Sequence, residues 1–250
     1  MQTRDDVIKT LKPYIINHPH VLAVWEGGSA ATNHLDAYSD LDVMLVVKKE
    51  DTETVFQGIE TFFREHFGIK EAYRLKEPTW HGFSQTFYAL KNSAPWFYVD
   101  LCILPPNAKD PFTAPDRHGQ GVVWKDTIGF INPKPTEASI TKKRVQTAYE
   151  RATEGTFVLR KEIDKALIRN HYMDAYHFMY SFMMRSLVPL MNIEHRPTKV
   201  DFGLRYAKND YTSDNYILIE AFMRAHDIED LRTLKDKFIN RYKALKKAYQ

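Results

Sequence analysis

Apolar residues in the first half of the chain follow two spacings, which predict helices and strands in turn. Residues 4–18 and residues 52–67 carry apolar side chains at helical intervals, and Gly68 is placed to end the second helix. The turn-like residues 91–95 separate two strand-like segments, which indicates a hairpin. Short apolar runs rich in β-branched and aromatic residues predict strands at 21–25, 41–47, 69–76, 81–90 and 96–104.

The second half of the chain has a different pattern. Proline, glycine and aspartate accumulate between residues 105 and 135, which predicts an irregular segment. From Thr136 onward there is no strand pattern, and helical spacing predicts helices at about 137–168, 171–190, 213–226 and 228–248. We therefore predict an α+β domain at residues 1–135, followed by an all-helical bundle domain at residues 136–250.

The charge balance argues against a dedicated nucleic-acid binder. The 250 residues include 35 basic and 32 acidic side chains, which give a net charge of +3 rather than a strongly basic chain. The single cysteine, Cys102, cannot form an internal disulfide, which favours a reducing compartment. The N-terminus is polar and no stretch has the length and apolarity of a membrane span. We predict a cytoplasmic protein that has no membrane or nucleic-acid partner.

Two aspartates interrupt the start of one predicted strand. Asp40 and Asp42 are two residues apart beside the apolar run 41–47. Because a strand alternates its side chains between two faces, both carboxylates are expected on the same side. Adjacent carboxylates repel each other unless a cation holds them, and ligands that are all oxygen favour Mg²⁺ over zinc. The spacing therefore predicts a magnesium site.

A glycine-rich turn precedes these aspartates. Gly27, Gly28 and Ser29 follow the strand predicted at 21–25, and Ser29 lies ten positions before Ser39. Glycines at the junction of a strand and a helix let the backbone approach a ligand, and the N–H groups that follow can hold phosphate oxygens. The segment is predicted to lead into a short helix at residues 30–35. A phosphate-binding turn beside a metal site suits a nucleoside triphosphate.

These motifs resemble the signature of the DNA polymerase β-like nucleotidyltransferase superfamily. The resemblance rests on Gly28 and Ser29, the spacer, and the sequence Ser-Asp-Leu-Asp that ends at Asp42. It covers about residues 20–105 and implies a mixed sheet with flanking helices. Members of the superfamily take a third carboxylate from a later strand. Asp100 is the matching candidate because it is the only charge in the run 96–104.

The size of the chain and its helical second half are similar to the small-molecule branch, such as the aminoglycoside and lincosamide nucleotidyltransferases. The resemblance implies transfer of AMP from ATP to a hydroxyl of an aminoglycoside-like antibiotic, and thus a role in antibiotic resistance. It implies that Asp40, Asp42 and Asp100 are catalytic and bind Mg²⁺, with Asp100 also a candidate general base. It further implies that Gly28 and Ser29 hold the β- and γ-phosphates.

Several alternatives stay open at this stage. The acceptor could instead be a protein side chain or an RNA end, or the chain could be a nucleotide sensor without catalysis. Degenerate members of the superfamily typically lack one carboxylate, and all three are present here. The helical half could supply an acidic residue (Glu154, Glu162 or Asp174). Arg196 and Lys199 lie in a polar loop between helices and could reach a triphosphate, but a solvated loop is the favoured interpretation. Aromatic residues in that half also permit a homodimer.

Overall fold

In the computed structural model, which describes residues 1–249, six strands form one mixed sheet in the first of two units, residues 1–135. The strands are β1 (Val21–Glu26), β2 (Leu41–Val47), β3 (Ile69–Arg74), β4 (Ser84–Leu90), β5 (Val99–Leu104) and β6 (Val122–Asp126). Their order across the sheet is β3-β4-β5-β2-β1-β6. The central strands β2 and β5 are parallel, and all the other neighbours are antiparallel, including the predicted hairpin of β4 and β5. The mixed sheet is therefore confirmed.

Two long helices cover one face of this sheet. The first is α1 (Arg4–Asn17), whose N-cap residue Thr3 forms a capping box with Asp6. Two short helices, α2 (Gly28–Ala31) and α4 (Pro115–His118), come before and after the second long helix, α3 (Thr52–His66), in the chain. The large core of this unit includes alternate residues of the central strands, Leu41, Val43, Leu45, Val99, Leu101 and Ile103.

The opposite face of the sheet carries a smaller apolar cluster. It consists of Ala23, Trp25, Val46, Phe83, Cys102 and Leu104. Burial and the nearby Asp100 raise the pKa of the Cys102 thiol, so this cysteine is a packing residue. Asp42 at the start of β2 and Asp100 at the start of β5 project from this face of the sheet.

Two local predictions differ from the structure of this unit. The segment predicted to be irregular contains β6, an edge strand that pairs with β1 and buries little of its surface. A half-exposed edge strand of five residues has too few apolar positions to reveal its period in the sequence. The short helix after the glycine turn is α2, which begins at Gly28 and ends at Ala31 instead of covering 30–35.

The second unit begins at Thr136 and is helical throughout the residues described. The single helix predicted over 137–168 is two helices, because Gly155 has a φ of 63° that interrupts the helical backbone. A π-helical turn, Met183–Leu187, joins two of the helices in the middle of this unit. The helices are α5 (Ala138–Thr153), α6 (Thr156–Ile168), α7 (Tyr172–Phe182), α8 (Val188–His195), α9 (Ala207–Asp210), α10 (Ser213–Met223) and α11 (Ile228–Ala248). No helix in the part of the chain that the structure describes could cross a bilayer.

A buried polar network centred on Asn192 stabilises the loop after α8. The Asn192 side chain is fully buried and donates to the carbonyls of Val200 and Gly203 at 3.2 and 3.1 Å. Its oxygen accepts hydrogen bonds from Arg196 Nε at 2.8 Å and from the Tyr211 hydroxyl at 2.5 Å. The side chain therefore satisfies polar groups from both ends of this loop.

Arg196 is part of the same network. Its guanidinium donates to the carbonyls of Gly203 and Arg205 and pairs with Asp210 at 2.8 Å. Only 4% of the Arg196 side chain is exposed. The open alternative in which Arg196 reaches a triphosphate has no support in the structure, because its donors are already used to hold the loop.

Replacing Asn192 tests the contribution of this network to stability. In Asn192→Leu, four hydrogen bonds are lost inside the core, and we expect the free energy of unfolding to fall by about 3 kcal/mol or more. Urea denaturation followed by circular dichroism measures it. The control Arg224→Ala removes an exposed ion pair to Glu220 and should cost less than about 0.5 kcal/mol. Equal losses in the two variants would contradict the prediction.

Candidate active site

The parallel pairing of β2 and β5 places two of the predicted site residues side by side. Asp42 is directly opposite Asp100 in the register of this pair. Neighbouring strands are about 4.8 Å apart, so the two side chains leave the sheet as close neighbours. The flanking residues Leu41 and Val43 point into the large core, so Asp42 and Asp100 project from the opposite face.

Asp40 immediately precedes β2 and completes the group of acidic residues. The phenol of Tyr98 is hydrogen-bonded to Asp40. Burial raises the pKa of this phenol, and the hydrogen bond to Asp40 and the negative charges of Asp40, Asp42 and Asp100 raise it further. All three carboxylates therefore act on one phenol, which indicates that they lie at the same end of the sheet.

Asp100 has a raised pKa and a well-defined partner in the neighbouring strand. Burial raises the pKa of its carboxyl to about 6, hydrogen bonds from Gln85 lower the pKa, and the charge of Asp40 raises it. Gln85, in β4, donates from Nε2 to both oxygens of Asp100, at 2.7 and 2.8 Å. At neutral pH this carboxylate is ionised but more basic than an ordinary aspartate.

The donor set can be tested against the predicted magnesium ion. Within residues 1–249 no three His, Cys, Asp or Glu side chains form a ready ligand set for a metal. Mg²⁺ in enzymes is usually held by one or two carboxylates, with waters and substrate phosphates as the other ligands. Asp42 and Asp100 are adjacent oxygen donors, and Asp40 adds negative charge beside them. These residues fit such an ion, although metal binding by Asp40, Asp42 and Asp100 stays a prediction.

The glycine turn packs directly against Asp42. The N–H of Gly27 donates to the Asp42 carbonyl at 3.0 Å, which fastens the turn to the start of β2. Gly28 has a φ of +53°, and a Cβ at this position would overlap the carboxylate of Asp42. Gly28 is therefore required both for its backbone conformation and for the space it leaves. Ser29 is half-buried in the first turn of α2, and phosphate binding by Gly28 and Ser29 stays a prediction.

Sequence reasoning missed Arg4, whose side chain links the end of β1, just before the glycine turn, to Asp40. Arg4 of α1 forms an ion pair with Glu26, the buried last residue of β1, and donates from Nε to the Asp40 carbonyl at 3.2 Å. One side chain thus contacts the residue before the glycine turn and the first aspartate. The available signal was the single acid, Glu26, at the end of an otherwise apolar strand, because such an acid needs a buried partner.

The acids considered in the helical unit lie at its surface, where Glu154 is exposed and the other two pair with neighbouring residues. Asp174 is largely exposed and lies 3.4 Å from His171, and Glu162 pairs with Lys165 on the same helix. Oppositely charged residues three or four positions apart on a helix stabilise it by only about 0.2–0.5 kcal/mol per pair. None of these contacts marks a functional role for the helical acids.

The raised pKa of Asp100 predicts a pH-dependent effect on stability. The folded chain binds this proton more tightly than the unfolded chain does, so stability falls as the pH rises from about 4 to about 6. Asp100→Asn removes the penalty, and we expect it to stabilise the first unit by about 1–2 kcal/mol at about pH 8 and not at about pH 4. Urea denaturation in the presence of a metal chelator measures this through tryptophan fluorescence, since every tryptophan lies within residues 1–135.

The exposed Asp236 provides the matched control. Its side chain is 77% exposed, and Asp236→Asn should change stability by less than about 0.5 kcal/mol at both pH values. An Asp100→Asn effect of the same size at both pH values would contradict the prediction.

Comparison with known proteins identifies the family. The sequence model of the streptomycin adenylyltransferase family matches residues 1–242. A comparison with curated protein sequences finds no match. A solved structure of the GLD-2/RNP-8 complex aligns with 96% of this chain and 74% of that chain, at 13% identity and a TM-score of 0.31, which is too low to support an inference. The family match spans both units and confirms the resemblance to small-molecule nucleotidyltransferases. The chain belongs to the streptomycin adenylyltransferase family, and it is therefore a nucleotidyltransferase.

Proposed function

We propose that this enzyme transfers AMP from ATP to a hydroxyl group of streptomycin or a related aminocyclitol antibiotic, and that it requires Mg²⁺. The observation that carries the proposal is the placement of Asp42 opposite Asp100, with Asp40 beside them and Gly28 against Asp42. The description of the matched family supports the nature of the acceptor. The modest net charge of +3 also favours a small acceptor over a nucleic acid.

Each residue of the site has a role in this reaction. Asp40, Asp42 and Asp100 would hold Mg²⁺, which neutralises charge on the triphosphate when it is bound. Gly28 and Ser29 would hold the β- and γ-phosphates through the backbone at the start of α2. The acceptor oxygen forms a bond to the α-phosphorus, the bond to pyrophosphate breaks, and the hydroxyl proton passes to Asp100. In the absence of a bound cation, burial raises the pKa of Asp100 to about 6, which makes it more basic than an ordinary aspartate.

The direct test is an assay of the purified protein with Mg²⁺, ATP and streptomycin. We expect pyrophosphate release that depends on the antibiotic and a product heavier by one adenylyl group. Parallel reactions with the other nucleoside triphosphates and with an aminoglycoside panel define the donor and the acceptor. Absence of pyrophosphate release with every nucleotide and every acceptor would refute the proposal. A nucleotide adduct on a co-purified protein or an RNA end would favour the other acceptor classes.

Asp42→Ala tests whether the proposed site is needed for nucleotidyl transfer and for metal-dependent nucleotide binding. We expect kcat/KM to fall by at least about a hundredfold, because the variant lacks one of the two adjacent carboxylates. The matched control Asp236→Ala changes an exposed aspartate of α11 and should retain activity. If Asp42→Ala kept both transfer and metal-dependent nucleotide binding, the site would lie elsewhere.

Gly28→Ala tests the contact between the glycine turn and Asp42. The new methyl group would displace the Asp42 carboxylate, and we expect at least about a tenfold loss of kcat/KM in addition to a stability cost of about 1 kcal/mol. Gly129→Ala is the matched control, since Gly129 has a φ of +65° and open space where its Cβ would be. The control should show the stability cost and full activity. Equal activity in the two variants would contradict the proposed role of Gly28.

A further inference from the structure

Asp100 is the end of a chain of hydrogen bonds that leads away from the proposed reaction. Gln85 donates to both Asp100 oxygens, at 2.7 and 2.8 Å. The amide oxygen of Gln85 in turn lies 2.9 Å from Nε2 of His81, in the turn that precedes β4. Asp100, Gln85 and His81 therefore form a row of three side chains, which we call the Asp100 ladder.

The backbone determines which ring nitrogen of His81 carries the proton. The N–H of Phe83 donates to His81 Nδ1 at 3.1 Å, so Nδ1 must be an acceptor. The proton of the neutral ring is then on Nε2, which faces the Gln85 oxygen. The hydroxyl of Thr79 lies 3.3 Å from Nδ1 and donates to the Phe83 carbonyl at 2.6 Å, which closes this turn around the ring.

The His81 ring also determines the orientation of the Gln85 amide. An amide has a donor end and an acceptor end, and either end could face Asp100 by a half rotation. In the rotated form, the amide oxygen would face the Asp100 carboxylate, and the amide N–H₂ would face the Nε2 proton of His81. Both contacts are repulsive, so His81 holds the donor end of Gln85 against Asp100.

We propose that His81 and Gln85 are positioning residues for nucleotidyl transfer, which fix the Asp100 carboxylate through the Asp100 ladder. This inference rests on the proposed function. Gln85 uses one lone pair of each Asp100 oxygen, and the remaining lone pairs stay available for a cation or for the proton of the acceptor hydroxyl. A carboxylate that is held in one rotamer loses less entropy when the reacting groups assemble.

A purely structural role for His81 makes a different prediction. Its ring contacts Phe83 and Phe112, with centroids 5.4 and 5.9 Å away. If packing were its only role, His81→Phe would preserve these contacts and leave the kinetics unchanged. In the Asp100 ladder, the same exchange removes the donor to Gln85, so that only the contact with Asp100 still orients the amide.

The kinetic test uses His81→Phe, Gln85→Leu and the double variant. We expect each single change to lower kcat about ten- to a hundredfold while KM for ATP and for the antibiotic changes less than about threefold. The double variant should be no slower than Gln85→Leu, because both changes break one connected unit. In His81→Gln a side-chain N–H can replace Nε2, and part of the loss should be recovered. His226→Phe, at an exposed position of the helical unit, is the matched control and should keep full kcat.

A nuclear magnetic resonance measurement tests the Asp100 ladder without activity. The side-chain amide signals of Gln85, identified by their absence in Gln85→Leu, should move in His81→Phe and stay in place in His226→Phe. If the wild-type protein transfers no nucleotide, the proposed function fails, and these signals still decide whether His81 orients Gln85. Unmoved amide signals in His81→Phe, or kinetic effects that add in the double variant, would overturn the inference.

Discussion

The parallel pairing of β2 with β5 is the constraint on which the rest of the site depends. This register places Asp42 opposite Asp100 and sends the residues beside them into the large core. Burial of the Asp100 carboxylate is unfavourable, and its raised pKa, to which the charge of Asp40 also contributes, reflects that cost. The apolar core on the other face holds the strands in this register, and the Mg²⁺ ion that we propose would offset the concentrated negative charge and allow a triphosphate to bind.

Residues outside the group of aspartates hold Asp40 and Asp100 in place. Gln85 supports Asp100 from the neighbouring strand, and Arg4 ties Asp40 to Glu26 beneath the glycine turn. These supports come from α1 and β4, which lie far from the aspartates in the sequence. The proposed site is thus assembled from helices and strands of one unit, and side chains outside the three aspartates hold it together.

The sequence predicted the elements that have a strong period and the motif that has a fixed spacing. The central strands and the long helices of the first unit follow from such local patterns, whereas Asp100 was placed with Asp42 only through the family resemblance. Gln85 could not be found in this way, because its contact with Asp100 depends on the register of β4 against β5. Arg196 was assigned from the sequence to a solvated loop, with a ligand contact left open, and only the folded loop shows that Asn192 and Asp210 use its donors.

The space that Gly28 leaves for Asp42 affects how related sequences should be interpreted. Any larger residue at position 28 would occupy the volume of the carboxylate, so the two positions are sterically coupled. A relative that replaced this glycine would have to displace the aspartate side chain or exchange it for a smaller residue. Such paired changes would mark a homologue that has kept the sheet and lost the chemistry, even where the other two acids survive.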